Sequence, residues 1–484
     1  MNTEEKSGLK PLSDREFHLL LAAGALLTVL SGMRFGVQEL GWVAGAPYLV
    51  AMMDRSGKRD HLWLLFYVTA GVHLSVFKII TPPLGAVMTI VFALPSALGM
   101  FALLAIWAFA VRRLGVLWGI YLFPAMAVTS EWMAYSSNLG PWGAAGVTQV
   151  DNLPLVQLTA IAGLPALSFL VALGSSVTAA VARQGFGPVK AHVALFAALF
   201  LSAQGYGQWR LAQDAPGKTI RVGAVASPLP VARFREVIND TSIARAWDDE
   251  LFARTALAAD LGARVVVWNE AATLLSRDDE AALVERGRKL AQERGIDIVM
   301  AIGTLLKKEP LSWDNKYYWI GKTEAVADIY RKLHPTPWEA SIPGDADAAA
   351  VEVDGLKLTG AICYDYDSPQ IALANAASGA GLAVIPSSDW KGIDPIHSHM
   401  ARMQGVAVGI STFRSVRAAT SFAADQYGRI TGAMRFNSPT GVMVADLPVE
   451  RIPTLYAATG DILPWFMAIF SLATIGLAAA RKLT

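Results

Sequence analysis

Apolar positions along the chain fall into two regimes. Residues 17–210 and 460–480 are nearly continuous apolar runs, whereas 211–455 alternates short apolar runs with charged stretches. A hydrocarbon core about 30 Å thick is crossed by about 20 apolar residues in a helix. On that measure the runs divide into eight predicted spans, near 17–33, 36–53, 61–80, 84–110, 114–133, 155–182, 191–208 and 462–480. Between them and the last span the period changes. Strands are predicted at 219–227, 263–270, 296–306 and 381–388, with closing strands in "TFRSVRAATSFAAD" and "RITGAMRF". Helical spacing marks 242–262, 278–294, 369–380 and 396–409. Residues 316–333 alternate around a Gly-Lys-Thr turn, and "AAVEVDGLKLTGAICY" alternates around Asp354-Gly355, a strong hairpin signal. Strand–helix units mixed with hairpins predict a layered α/β sandwich.

Charge orients this plan. Lys and Arg collect in cytoplasmic loops. Here Lys6, Lys10 and Arg15 precede the first span, and Arg55, Lys58 and Arg59 follow the second. Arg112 and Arg113 follow the fourth, Arg183 and Lys190 the sixth, and Arg481 and Lys482 the last. Every second loop is basic, which predicts both termini in the cytoplasm and the 211–455 segment on the opposite face. The domain plan is a cytoplasmic tail at 1–16 and a membrane domain of seven helices at 17–210. An extracytoplasmic domain at 211–455 follows, then a last membrane helix and short cytoplasmic tail at 456–484. The first run leads into further spans rather than to a small-residue cleavage site, so it reads as a span and not a leader. Charged residues make up 17% of the chain against roughly 25% in soluble proteins, in keeping with a membrane protein. A net charge of +1 gives no global field for nucleic acid.

Candidate chemistry stands at strand ends. Glu270 closes "ARVVVWNE", Lys332 follows an alternating strand, and Cys363, the one cysteine in the chain, closes "LTGAIC". A lone cysteine in an exported domain is either a buried small hydrophobe or a reactive thiol. A carboxylate and an ammonium beside it could supply proton transfer and charge stabilisation, and each alone could equally be a strand-end group reaching water. His397 and His399 have no third ligand near them in sequence and read as a helix-start pair rather than a metal site. Lys78 ends a span and is expected to snorkel to the interface. Glu131, near the outer end of the fifth span, is a functional carboxylate or a structural hydrogen-bond acceptor.

Glu in "VVVWNEAA", Lys in "YRKLHPTPWE" and Cys in "GAICYDYDSP" follow the order of the Glu-Lys-Cys triad of the nitrilase superfamily, which this segment resembles. The membrane half carries "SEWMAYSSNLGPWGAAGVTQVDNLPLVQLTAIAGLPALSFLVAL" (130–173), and the later blocks are "SDWKGIDPIHSHMARMQGVAVG" and "VRAATSFAADQYGRI". With these the chain resembles the apolipoprotein N-acyltransferase family over about residues 20–480. The resemblance implies a polytopic helical membrane domain joined to an extracytoplasmic nitrilase-like αββα sandwich in a bacterial inner membrane, the catalytic domain periplasmic. It implies transfer of an acyl chain from a phospholipid, through a thioester on Cys363, to the N-terminal amine of a diacylglyceryl-modified apolipoprotein. No cofactor or metal is implied. Glu270, Lys332 and Cys363 take the catalytic places, and Glu339, Tyr364, Asp365, Trp338 and Trp390 are expected to support the site or line it.

Several positions depart from the family's pattern. Trp-Pro-Glu is Trp268-Asn269-Glu270 here, and Cys-Tyr-Glu is Cys363-Tyr364-Asp365. The loop from Lys332 to Glu339 is about one residue shorter, and the Ser-Asn-Asp-x-Trp block reads "SSDWKG". These loops meet substrate, so a membrane-tethered amidase, with water resolving the acyl-enzyme, is the alternative. A nitrilase fold kept only as a binding module is a third reading.

Overall fold

The first helix begins where the sequence supplies a cap. Ser13 Oγ accepts from the backbone N–H of Glu16, and Glu16 Oε2 accepts in return from the Ser13 N–H at 2.8 Å, a reciprocal capping box. The structure is a computed structural model that describes residues 11–137, 139–229, 233–323, 325–337 and 339–481. Lys6, Lys10, Trp338 and Lys482 lie outside the described residues. The chain divides into two compact units, Arg210–Ala458 and a helical unit formed by the residues before and after it.

In the helical unit, four described helices are long and apolar enough to cross a membrane: Val87–Leu114, Thr159–Gln184, Phe186–Leu211 and Ile462–Ala480. The segment predicted as the second span is divided into Gln38–Gly41 and Ala46–Asp54, the second opening on Pro47 near its start. Thr159–Gln184 is itself broken at Ala162 and Gly163, where Gly163 takes a φ of +69° that suits glycine, two residues before Pro165. Glu131, on the helix Val116–Ser136, accepts from the Ala145 N–H at 2.8 Å, and Gly146 N–H donates to Ser168 Oγ at 3.0 Å. A Cβ on Gly146 would stand 2.7 Å from Leu164 Cδ1 and 2.9 Å from Ser168 N. Glu131 therefore pins a short 3-10 turn, Ala145–Gln149, that packs closely on the broken helix. Lys78 stands at the end of the helix Lys58–Phe77. Its Nζ turns to the carbonyls of Val29 and Gly32 and so satisfies acceptors left free at the end of the helix Asp14–Ser31.

The second unit is a four-layer sandwich. Strands β1 (Thr219–Val225), β2 (Val265–Trp268), β3 (Leu274–Ser276), β4 (Asp297–Lys308), β5 (Leu311–Ile320) and β6 (Val326–Arg331) lie in one sheet. Strands β7 (Val351–Val353), β8 (Leu356–Gly360), β9 (Leu382–Ser388), β10 (Ser411–Arg417), β11 (Ser421–Ala424) and β12 (Ile430–Met434) form the other. The last strand, β13 (Val442–Pro448), returns to pair antiparallel with β1, so the first sheet runs β13-β1-β2-β4-β5-β6 with β3 beside β4. The second runs β12-β11-β10-β9-β8-β7. In each sheet the central strands are parallel and the flanking pairs antiparallel.

Alternation along the strands builds the layers. Val265 and Val267 of β2 face the opposing sheet, with Tyr317, Leu358, Val384 and Phe413 in the same core. Val266 and Trp268 face outward against Leu251, Phe252, Leu283 and Val284 of the helices Ser242–Asp260 and Arg277–Arg294. On the other sheet Ala383 and Ile385 pack against Ile371, Ala372, Ala401 and Val408 of the helices Pro369–Ala377 and Ile396–Val408. Strands buried on both faces read as continuous apolar runs, which is why these segments were legible. The predicted Asp354-Gly355 turn joins β7 to β8, both residues at positive φ (51° and 77°), the backbone a tight two-residue turn requires.

Candidate active site

Strand ends from both sheets bring the three sequence candidates into one buried region. Glu270 lies two residues past β2, Lys332 one past β6, and Cys363 three past β8. Their exposures are 4%, 2% and 6%. Lys332 Nζ donates to Glu270 Oε1 at 2.8 Å and to Glu339 Oε2 at 2.6 Å. Asn315 Nδ2 donates to Glu270 Oε1 and to Glu339 Oε1, each at 2.8 Å. One ammonium and one amide thus hold two carboxylates facing each other. Ser341 Oγ and the Thr336 N–H complete the shell of Glu339. Lys332 is set in place by its own backbone, whose N–H bonds the Asn315 carbonyl at 2.9 Å and continues the β5–β6 ladder.

Burial works against the charge on Lys332, but Glu270 and Glu339 outweigh it, and its pKa lies well above the ordinary lysine value. Glu339 is raised by burial yet ends below the usual carboxylate range, because the Lys332 charge and the hydrogen bonds outweigh that. Burial and the Glu270 charge push the Cys363 thiol well up, against Lys332 and Arg414. At neutral pH the site holds an ammonium, a carboxylate at Glu339 and a protonated thiol, so the thiol needs a base at the moment of reaction.

Backbone supports fix these groups. Cys363 has a φ of +51°, an unusual backbone for a residue with a Cβ, at the head of a 3-10 turn, Cys363–Asp367. Gly360, which closes β8, has room for no side chain: a Cβ would stand 2.7 Å from Tyr317 Oη. Asn269 extends the sheet by donating its N–H to the Val225 carbonyl at 3.1 Å, a bond proline could not make. Its Nδ2 donates to the Glu270 carbonyl at 2.8 Å, and Arg417 Nη2 donates to the Ala271 carbonyl. Burial lowers the pKa of Arg417 to about 10, so it stays charged.

The remaining candidates separate. Asp365 accepts from Tyr330 Oη and the His334 N–H, each at 2.7 Å, and from the N–H groups of Leu333 and Ile362. It is fully buried and ties the segment after Lys332 to the cysteine turn. Tyr364 and Trp390 are half-buried, next to Cys363 and Asp389 respectively. Trp338 lies outside the described residues. Four buried groups went unremarked in the sequence: Asn315, Asp389, Arg414 and Asp367. Arg414 lies in the strand "STFRSVR", which is buried throughout, and nothing in that mixed run marks it out in the sequence.

Comparison with known proteins accords with this division of the chain. Residues 24–177 match the apolipoprotein N-acyltransferase N-terminal domain, and residues 226–456 match carbon-nitrogen hydrolase. The apolipoprotein N-acyltransferase of Geobacter metallireducens is 26% identical over 514 residues, covering 97% of this chain and 96% of that one. That of Pseudomonas putida is 25% identical over 463 residues, covering 85% and 87%. Among solved structures, a carbon-nitrogen hydrolase from Helicobacter pylori G27 aligns with a TM-score of 0.38 at 16% identity, over 48% of this chain and 89% of its own.

Proposed function

The chain belongs to the apolipoprotein N-acyltransferase family, its two matched segments together spanning most of its length, and on that premise we propose how it transfers an acyl group. The donor is a membrane phospholipid and the acceptor the free α-amine of an S-diacylglyceryl-cysteine at the N-terminus of a lipoprotein. Glu270 takes the proton of Cys363 as Sγ attacks an ester carbonyl of the phospholipid. Lys332 and a backbone N–H next to Cys363 stabilise the tetrahedral oxyanion, donors aimed where charge develops. The C–O bond breaks, the lysophospholipid oxygen takes the proton from Glu270, and an acyl-thioester remains on Cys363. The amine then attacks the thioester, Glu270 accepts its proton, the C–S bond breaks, and an amide forms while the thiol is regenerated. Glu339 holds Lys332 charged through both half-reactions. A thioester is already activated towards an amine, so the chain's own residues account for every proton.

The observation that carries this reading is the buried Lys332 ammonium bonded to Glu270 and Glu339, with the Cys363 thiol within reach of its charge. Tyr364, Trp338 and Trp390 are the proposed lining residues. The basic loops support a multi-pass topology of eight spans with cytoplasmic termini in the inner membrane and the sandwich on the periplasmic side. The test is intact mass of the purified protein incubated with phospholipid. A hydroxylamine-labile gain of one acyl chain on wild type, absent from Cys363→Ala, supports the reading. Failure to form any adduct, with free acid released from small amides instead, would replace it with a hydrolase.

A further inference from the structure

Next to the thiol lies a second ionic cluster that the mechanism above does not use. Cys363 Sγ lies 3.8 Å from Asp389 Oδ1, within the reach of a thiol hydrogen bond. Asp389 follows β9, and Arg414 of the neighbouring parallel strand β10 grips it at both oxygens, Nη1 to Oδ2 at 2.6 Å and Nη2 to Oδ1 at 3.0 Å. His397, near the start of the helix Ile396–Val408, bridges two carboxylates: Nδ1 to Asp389 Oδ1 and Nε2 to Asp367 Oδ1, each at 2.9 Å. Ser398 Oγ accepts from Arg414 Nη1 at 2.9 Å. All four charged members are buried, none more than 4% exposed.

Donor atoms of Cys363, Asp389 and His397 lie within 4.8 Å of one another, a spacing that suits a metal ion. The guanidinium of Arg414 already takes the place of that cation, bonded to Asp389 and 2.8 Å from His397 Nδ1. A metal would have to displace a fully buried arginine. The cluster is a salt-bridge network, and Asp389 is its member within hydrogen-bond distance of the thiol.

We propose that Asp389, clamped by Arg414 and His397, is a positioning residue for Cys363: it accepts the hydrogen bond of the resting thiol and fixes the direction from which Sγ turns to the acyl carbonyl. This role rests on Cys363 being the acyl carrier. It is not a second general base. Burial works against the Asp389 carboxylate, but Arg414 and His397 outweigh it and hold its pKa far below the usual range. Burial and Arg414 oppose the charge on His397, yet Asp367 and Asp389 raise its pKa to about 9, so the ring donates from both nitrogens. A carboxylate so well satisfied is a poor proton acceptor, which leaves that task to Glu270. Its charge nonetheless bears on the thiol. Glu270 and Asp389 disfavour the thiolate, whereas Lys332 and Arg414 favour it.

Opposite signs on two members of one cluster give a test that a merely structural role fails. The full-length protein in detergent is treated with iodoacetamide from pH 6 to 10, and alkylation of Cys363 is followed by intact mass. Asp389→Asn keeps an acceptor but removes the negative charge. It should move the alkylation profile to lower pH and raise the rate at pH 7 by about tenfold, the factor for one pKa unit. Arg414→Met should move the profile the other way, with Arg414→Lys returning it towards wild type. His397→Gln removes the second cation, moves the profile as Arg414→Met does, and decides the matter if that variant is not recovered folded. Shifts of Asp389→Asn and the cation variants in the same direction, or none, would overturn the proposal. The phospholipid adduct is measured on the same preparations. If wild type forms no adduct while the profiles still part, the acyl-carrier reading fails and the contact between Asp389 and the thiol stands.

Discussion

Replacing Lys332 with Met tests the electrostatics of the site most directly. The side chain keeps its length and apolar stem, but the cation bonded to both Glu270 and Glu339 is lost. Lys332 is 2% exposed and the Glu339 side chain 10%, so water can replace the ammonium only poorly. Breaking a buried pair by removing one partner costs roughly 3–5 kcal/mol, chiefly because a buried charge is left uncompensated. The pH dependence fixes the sign. In wild type Glu339 has a lowered folded-state pKa, so its contribution to stability is present above the usual carboxylate range and is lost as pH falls. In Lys332→Met the cause of that lowering is gone, and burial and the facing carboxylate raise the pKa instead. The variant is then favoured below the usual carboxylate range and loses stability as pH rises. The apparent Tm of the full-length protein in detergent, measured from pH 4 to 8, should show a gap to wild type that is small at pH 4 and widest at pH 8. Parallel curves across that range would refute the reasoning. On the proposed mechanism the acyl adduct should also form more slowly by a factor on the order of 10²–10³, the cost of removing one oxyanion donor.

Other substitutions probe the supports. Asn315→Leu removes the amide shared by the two carboxylates, two charge-assisted bonds of roughly 1.5–3 kcal/mol each; adduct formation should slow by at least tenfold, in a single-turnover mass assay, while Arg233→Gln on the surface leaves it unchanged. Gly360→Ala drives a methyl into Tyr317 at the entrance to the cysteine turn, a clash of about 1–3 kcal/mol that should lower both the Tm and the adduct rate. Glu131→Gln keeps an acceptor for the Ala145 N–H and should melt near wild type, whereas Glu131→Ala leaves that N–H unpaired, a loss of about 1–3 kcal/mol read as a lower Tm.

How much of this was legible follows from what each residue interrupts. Glu270, Lys332 and Cys363 stood out because each ends a run whose period was plain, and the fold carries strand ends to one region. Asn315 was invisible because the predicted strand began at 316, whereas β5 begins at Leu311 and the role of Asn315 depends on the β5–β6 register. The strands β3 and β13 went unpredicted for related reasons: β3 is three residues long and gains its pairing only from β4, and β13 is defined by β1, far away in the chain. His397 read as a helix-start pair with His399 because its partners, Asp367 and Asp389, come from a turn and a strand end that sequence proximity does not connect. The segment 36–53 reads as one uninterrupted span because hydropathy averages across Gln38–Gly41 and Ala46–Asp54 and does not register the break between them.

The two ionic clusters near Cys363 bear on why so polar a site stays buried. In one, Glu270 and Glu339 share Lys332, with Arg417 anchoring the backbone of Glu270 and Ala271. In the other, Asp367 and Asp389 share His397, and Arg414 grips Asp389. Each cluster pairs its carboxylates with cations inside hydrogen-bond distance, so neither needs water to hold its charge. The thiol near them is an uncharged group, the species that burial favours. The unstable moment is the reaction itself, when the thiol proton leaves and negative charge passes to the acyl oxygen. In the proposed mechanism Lys332 is already in place for that charge and need not reorganise, which is where a preorganised site gains its rate. Burial of the resting state is thus the condition under which, in the proposed mechanism, these charges act most strongly on the transition state. It also predicts that substitutions admitting water, rather than only those removing a charge, slow the enzyme: Asp365→Ala, which frees the Lys332 segment from the cysteine turn, should cut adduct formation at least tenfold in the mass assay while Cys363 alkylation becomes faster.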